Sequence, residues 1–209
     1  INEGLNAANT LDVYRTLKEN LLSSNAYTKW ISFYKVINAC NIIIERAPEV
    51  SQKDPTYTES DVMATKAECA FLRDLSYFYL VRAFKDVPYY TKAIQSDDDV
   101  PELPAVSGDS IVKCLITDLE ENVSFALKAY PKDSRSSFNS NCDRVTQSAI
   151  YALLADLCLW DGQYQKCVDY CQKVIDYKYD RYQEDHANST SKSDGGVALF
   201  KHSNDTYSK

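Results

Sequence analysis

The chain has 209 residues, of which 44% are hydrophobic and 25% charged, and this length suggests one large domain or two small ones. Its formal net charge of −7 argues against a nucleic-acid partner and against charge-driven binding to an anionic membrane, because both need a dense basic surface. With only 5 glycines and 6 prolines, the chain lacks the turn residues of a β-sandwich or barrel. Helices are therefore expected throughout.

The apolar periodicity predicts six helices along the chain. They cover residues 10–22, 28–46, 60–84, 107–130 and 146–160, and the last runs from an Asp161-Gly162 break to residue 177. Thr10 and Ser107 are the expected N-caps, and Pro48 is expected in a loop. The helices form three predicted antiparallel pairs, over residues 10–46, 60–130 and 146–177. Residues 1–177 would then be one helical domain, and the Ser- and Asn-rich residues 178–209 a polar loop or disordered tail.

The third predicted helix carries two apolar stripes. Phe71, Leu75 and Phe78 lie on one stripe, and Leu72 and Leu80 lie on the other. Two stripes indicate a helix that is buried between other helices. The helix must end before Val87-Pro88, because a residue that precedes proline is driven into extended geometry.

The last helix pair, "YALLADLCLWDGQYQKCVDYCQKVID" (151–176), resembles a tetratricopeptide repeat. Leu154 and Ala155 stand at the Leu-Gly positions of the repeat, and Gly162 and Tyr164 stand at its turn. Cys167 replaces the usual small alanine, and Tyr170 follows in the second helix. The alternative is a generic helical hairpin. The predicted fold is all-α, with antiparallel helix pairs stacked as a tetratricopeptide-like right-handed superhelix that has long irregular loops.

No catalytic or metal-binding pattern is found in the sequence. The seven cysteines contain no CxxC pair, and Cys167 and Cys171, spaced i, i+4, are accompanied by only two histidines in the chain. GxSxG, HExxH and P-loop motifs are absent from the sequence. We therefore expect no enzymatic activity, no catalytic residue, no metal site and no cofactor.

Four blocks of sequence together resemble the SusD/RagB family of Bacteroidetes outer-membrane lipoproteins. The longest is "AECAFLRDLSYFYLVRAFKDVP" (67–88), and the others lie within residues 30–41, 116–119 and 144–155. Their order and spacing make the resemblance specific, and it extends from about Trp30 to Ile175. Cys69, Asp74 and Lys85 depart from the family pattern, which has alanine at the first two positions and glycine at the third. Lys85 would be the costly departure if the backbone there is left-handed.

The resemblance implies a function as well as a fold. It implies a non-enzymatic lipoprotein at the cell surface that binds an oligosaccharide or polysaccharide and delivers it to a SusC-like TonB-dependent transporter in the outer membrane. Family members are longer than this chain, which corresponds to their repeat-bearing N-terminal portion. The expected attachment to the membrane is a lipid anchor absent from this chain.

A sugar site needs aromatic rings for stacking and polar groups that hydrogen-bond to hydroxyls. Asn25, Tyr27 and Trp30 form the best candidate cluster, at the break before the second helix. The alternative for Trp30 is helix packing. The alternative function is a peptide- or protein-binding repeat scaffold of the tetratricopeptide type, which would use the concave face of its helix pairs.

Overall fold

The computed structural model describes residues 7–20, 22, 25, 28–96, 102–130 and 144–186. These ranges contain the α-helices α1 (Ala7–Leu17), α2 (Ile31–Ser51), α3 (Glu59–Phe84), α4 (Gly108–Asn122), α5 (Gln147–Trp160) and α6 (Tyr164–His186). Two short strands, β1 (Val87–Pro88) and β2 (Ala105–Val106), pair antiparallel. The all-α prediction is confirmed. Within the described ranges, none of the helices combines the length and apolar character needed to cross a membrane.

The first two helices differ from their predicted bounds. Thr10 lies inside α1 and is not its N-cap, and the chain leaves α1 through Glu19, which has a positive φ of 55°. The prediction that α2 ends at Arg46, with Pro48 in a loop, was wrong, because α2 continues through Pro48 to Ser51. Proline removes one helical N–H donor. The loss is tolerated here because the helix ends within one turn, where the Ser51 hydroxyl donates to the Pro48 carbonyl at 2.9 Å.

Local side-chain bonds fix both ends of α3. At its start, Thr58 and Asp61 form a reciprocal capping box, which satisfies N–H groups that have no helical partner. At its end, Lys85 takes a positive φ of 68°, as the glycine in the family pattern had indicated. The next residue, Asp86, accepts a hydrogen bond from the Gly108 N–H at 3.1 Å. This bond brings the start of α4 against the end of α3.

The start of α4 needs a glycine for steric reasons. A Cβ at Gly108 would lie 2.7 Å from the Lys85 carbonyl oxygen, closer than van der Waals contact allows. Ser107 is the N-cap of α4, as predicted, because its hydroxyl accepts from the Ser110 N–H. The helix ends earlier than predicted, at Asn122 instead of near Tyr130. A 3₁₀ turn over Val123–Phe125 follows, and Ala126 is extended.

Helix α3 is the centre of the core. It packs against α2 and α4, while α5 packs against α4 and α6. The side chains of Tyr77, Phe78 and Leu80 are at most 2% exposed, which agrees with burial between helices. Leu72, predicted on a buried stripe, is 39% exposed, so the second stripe is only partly covered.

Helices α5 and α6 form the predicted hairpin. Gly162 lies between them with φ +76°, a conformation that favours glycine. The Tyr151 and Tyr170 rings stack across the hairpin at 5.9 Å. Residues 178–186 are helical, so the prediction of a loop from Lys178 was wrong there. Lysine, arginine, glutamine and glutamate in this stretch are good helix formers, and no glycine or proline interrupts it. Residues 187–209 of the predicted tail lie outside the described residues.

Candidate functional site

The three residues predicted to contact sugar lie before or at the start of α2. Asn25 is 1% exposed, and its amide donates to the Asp12 carbonyl at 3.2 Å and to the Thr16 hydroxyl at 3.3 Å. These bonds give Asn25 a structural role, since they attach the segment before α2 to α1. Tyr27 lies outside the described residues. Contact of these residues with sugar stays a prediction.

Trp30 lies directly before α2 and is 37% exposed. Its indole ring contacts Phe84 edge-on at 5.5 Å and Tyr34 at 6.1 Å. These contacts fix the ring against the end of α3, while its remaining surface is open to solvent. An aromatic ring held in this way loses little side-chain freedom when it stacks on a ligand.

A second aromatic pair, in which Tyr79 is exposed and Phe33 is half-buried, lies on the same two helices. Phe33 of α2 stacks on Tyr79 of α3 at 6.3 Å, and Tyr79 is 51% exposed. Phe33 lies one helical turn after Trp30, so we define the surface aromatic cluster as Trp30, Phe33 and Tyr79. A tyrosine inside a helix as apolar as α3 would be expected to pack in the core, yet half of Tyr79 is exposed. Leu72, two helical turns earlier on the same face, is also partly exposed.

The remaining aromatic residues of this region are structural. Tyr34 stacks on Tyr90 at 5.9 Å and donates its hydroxyl to the Pro88 carbonyl at 2.7 Å. Tyr77 donates to the Tyr90 carbonyl at 2.8 Å and accepts from the Tyr90 N–H at 3.0 Å. Burial, followed by the nearby Tyr90, raises the pKa of Tyr34 to about 12, so its hydroxyl stays protonated as a donor. The two hydroxyls therefore fix the turn that follows α3.

One edge of α2 holds the segment that continues from this turn. Asn38 donates its amide to the Ile94 carbonyl and accepts from the Ile94 N–H, both at 2.8 Å. Asn41 donates to the Lys92 carbonyl at 3.1 Å. Glu45 accepts from the Ala93 N–H at 2.8 Å. Asn38, Asn41 and Glu45 recur at helical spacing, so we call this edge the polar edge of α2.

A buried ionic centre joins α2, α3 and α4 beneath this edge. Arg73, 5% exposed, donates to Asn41 Oδ1 at 3.1 Å and to Asp118 Oδ2 at 2.5 Å, and its Nε lies 3.4 Å from Asp74 Oδ1. Asp74 is fully buried, and its Oδ2 has no hydrogen-bond partner among the described residues. One guanidinium thus faces two carboxyl groups.

Two carboxylates beside one guanidinium repel each other, which favours the protonated form of the more buried one. Burial and then the Asp118 carboxylate raise the pKa of Asp74 well above its usual value, so Asp74 holds a proton more readily than a free aspartate does. A neutral carboxyl also costs less to bury than a carboxylate, which fits an Asp74 Oδ2 without a partner among the described residues. The sequence had marked Asp74 only as a departure from the family pattern. Its partner Asp118 is remote in sequence, so periodicity could not pair them.

The described residues offer binding surfaces but no assembled catalytic or metal centre. Among them, no group of three or more His, Cys, Asp or Glu side chains is placed to hold a metal ion. The two most polar assemblies, the ionic centre and the polar edge of α2, already bond to the chain itself. The exposed rings therefore remain the features most suited to a ligand.

Comparison with known families decides which protein class this is. A family model described as "Starch-binding associating with outer membrane" matches residues 3–159. The chain belongs to this SusD-like family. A SusD-like protein of Formosa agariphila is 31% identical over 99 residues, which are 47% of this chain and 18% of the relative.

Solved SusD structures share the fold of this chain. A SusD superfamily protein of Bacteroides thetaiotaomicron aligns with a TM-score of 0.65 at 24% identity, over 83% of this chain and 38% of that one. A laminarin-binding SusD-like protein aligns with a TM-score of 0.58 at 25% identity, over 69% and 29%. The chain spans less than two fifths of the length of each SusD-like relative described here.

Proposed function

We propose that this chain is the helical portion of a glycan-binding lipoprotein that works at the outer-membrane surface without catalysing a reaction. The observation that carries the proposal is the SusD-like match over residues 3–159, whose family is described as starch-binding and associated with the outer membrane. The laminarin-binding relative supports the same class of ligand. In this proposal, the bound oligosaccharide passes to a SusC-like TonB-dependent transporter.

The surface aromatic cluster is the part of the chain best suited to hold a sugar in this proposal. Trp30 and Tyr79 expose ring surface, and each ring is held in place by another aromatic residue. Apolar C–H groups on one face of a pyranose ring pack well against such rings. We expect Trp30→Ala to weaken oligosaccharide binding about tenfold, the usual effect of losing one aromatic contact.

The rival function, peptide binding by a repeat scaffold, is disfavoured by the polar edge of α2. An extended peptide docked on such an edge carries backbone N–H and C=O groups, which need free polar side chains as partners. Here Asn38, Asn41 and Glu45 already hold the chain's own residues 92–94 in that manner. A peptide could use this edge only by displacing residues 92–94 from these four hydrogen bonds, and each bond left unmade is costly.

Calorimetric titration of the 209-residue chain tests the proposal directly. Starch-derived and laminarin-derived oligosaccharides are titrated first, followed by a library of extended peptides at the same concentrations. We expect saturable saccharide binding that weakens in Trp30→Ala and in Tyr27→Ala. The matched control is Tyr14→Ala, which removes an exposed tyrosine from α1. Saturable binding of peptides without any saccharide binding would favour the repeat scaffold instead.

Delivery to the transporter needs a separate test. The expected outcome is co-purification of the full-length lipoprotein with a TonB-dependent transporter from outer membranes, and growth on the cognate glycan that depends on both proteins. A lipoprotein that binds glycan but purifies alone after mild cross-linking would contradict the delivery step and leave glycan binding intact.

A further inference from the structure

A cleft of about 460 Å³ opens on the surface between two parts of the molecule. One wall is the α2–α3 turn with the first half of α3, and the other is the segment after α4 together with Arg144, shortly before α5. We call it the tyrosine–carboxylate cleft, because its walls include the following side chains: Asp54, Tyr57, Asp61, Glu68, Tyr130 and Arg144. None of these residues belongs to the surface aromatic cluster. The cleft is thus a separate place on the same fold.

Hydrogen bonds hold the side chains of this cleft in place. Tyr57 donates its hydroxyl to the Thr65 hydroxyl at 2.7 Å. Arg144 donates to both oxygens of Glu68, at 2.7 and 2.6 Å, and its guanidinium lies 4.4 Å from the centre of the Tyr130 ring. Asp61 belongs to the capping box of α3. A ligand would meet groups that are already ordered, which reduces the entropy cost of binding.

The charges of the cleft limit the chemistry of its ligand. Hydrogen bonds from the Thr56 hydroxyl and N–H lower the pKa of Asp54, and those from Thr58 lower the pKa of Asp61. Burial raises the pKa of Glu68, but the hydrogen bonds from Arg144 and its neighbour outweigh burial and lower it. The cleft therefore presents three carboxylates against one guanidinium, which is already bonded to Glu68.

The ring of Tyr57 is available to a ligand. Among the described residues, no other aromatic ring and no cationic group stacks against it. A second cleft, of about 400 Å³ beside α6, differs in this respect. There the Lys173 ammonium lies 4.9 Å from the Tyr151 ring centre and 5.1 Å from the Tyr170 ring centre, so the Lys173 side chain already occupies those ring faces.

We propose that the tyrosine–carboxylate cleft binds a neutral, hydroxyl-rich saccharide unit. The Tyr57 ring packs against the C–H face of the sugar, and Asp54 and Asp61 accept hydrogen bonds from its hydroxyl groups. Uronic or sulfated sugars are rejected, because the cleft has no cation left to pair with their anionic groups. This inference rests on the proposed glycan-binding function and adds a site and a charge preference to it.

Calorimetry with the 209-residue chain tests the cleft. The probes are maltohexaose and laminarihexaose as neutral saccharides and an oligogalacturonate as the anionic one. We expect Tyr57→Ala to weaken neutral-saccharide binding about tenfold, as for the loss of one aromatic contact. Asp54→Ala, at an exposed position outside the helices, should weaken it severalfold. The matched control, Tyr177→Ala, removes a tyrosine from the other cleft and should leave the affinity unchanged.

Each outcome of this experiment is informative, provided that the thermal midpoint of every variant is measured alongside. Unchanged affinity in both cleft variants, with loss only in Trp30→Ala, would overturn the cleft and leave the proposed function standing. The cleft would also be overturned if Tyr177→Ala weakened saccharide binding as much as Tyr57→Ala does. The same holds if the chain bound oligogalacturonate as tightly as the neutral saccharides at low salt. If the unaltered chain binds no saccharide at all, the proposed function itself fails.

Discussion

Replacement of Arg73 by methionine tests the ionic centre most sharply, because methionine keeps much of the side-chain volume and removes the charge. Arg73 is 5% exposed and bonds to Asn41 on α2 and Asp118 on α4. Removing one partner of a buried ion pair costs about 3–5 kcal/mol, since the other charge stays buried without compensation. The Asp118 side chain is 24% exposed, so water relieves part of this cost, and we expect a loss near the lower end of the range.

Chemical unfolding followed by far-UV circular dichroism measures this loss. For a chain of this size, each kcal/mol corresponds to about 2–4 °C in the thermal midpoint, so a loss of about 3 kcal/mol lowers it by about 6–12 °C. Arg82→Met is the matched control on the same helix. Arg82 pairs with Asp156 at 3.6 Å, but both side chains are about half exposed, and an exposed pair contributes about 1 kcal/mol or less.

The double variant Arg73→Met/Asp118→Asn separates charge from packing. If the uncompensated Asp118 carboxylate causes the loss, neutralising it should restore at least about 1 kcal/mol, which a double-mutant cycle resolves. Equal costs for Arg73→Met and Arg82→Met would refute the reasoning. The reasoning would also be refuted if the double variant lost as much unfolding free energy as the two single variants together.

Three further predictions concern other parts of the scaffold. Asp74→Asn should match the unaltered chain in unfolding free energy below about pH 3 and become relatively more stable as pH rises. The raised folded-state pKa keeps a proton on folded Asp74, whereas the unfolded chain loses it above the ordinary pKa of 3.8. A difference in unfolding free energy that stays flat or shrinks with rising pH would contradict this. Asn38→Ala should lower the free energy of unfolding by about 1–3 kcal/mol and speed hydrogen exchange at Ile94, because it leaves the Ile94 N–H without its acceptor. Unchanged protection of Ile94, measured by mass spectrometry, would contradict the role given to the polar edge of α2. Gly108→Ala should cost about 1–3 kcal/mol by overpacking against the Lys85 carbonyl, and an unchanged thermal midpoint would show that the backbone can move aside.

The elements that could be predicted from sequence are those fixed by local signals. The end of α3 followed from Val87-Pro88, and the N-cap of α4 from Ser107. The hairpin of α5 and α6 followed from Gly162. Pro48 misled the prediction, because a proline near the C-terminus of a helix costs only one bond and the chain can retain it. Similarly, the polar composition after Tyr177 indicated a loop, although most of its first residues are adequate helix formers.

The site was less predictable than the fold for a physical reason. The bonds from Asn38 to Ile94 and from Arg73 to Asp118 join residues 56 and 45 positions apart. No periodicity links such positions, and an asparagine on a helix surface has the same sequence signature whether or not it holds a loop. The exposure of Tyr79 could not be predicted for the same reason, since it depends on how the other helices cover α3. Asn25, placed in the candidate site, is buried by its bonds to α1.

The distribution of hydrogen-bonding groups favours the proposed sugar ligand over a peptide. Asn38, Asn41 and Glu45 hold residues 92–94, and the hydroxyls of Tyr34 and Tyr77 hold residues 88–90. A peptide needs those backbone-binding groups free, whereas a saccharide needs ring faces and acceptors with spare lone pairs. Ring faces and carboxylates are what Trp30, Tyr79 and the tyrosine–carboxylate cleft still present to solvent. The internal bonds that stabilise the fold thus leave the chain better suited to a hydroxyl-rich ligand than to an extended polypeptide.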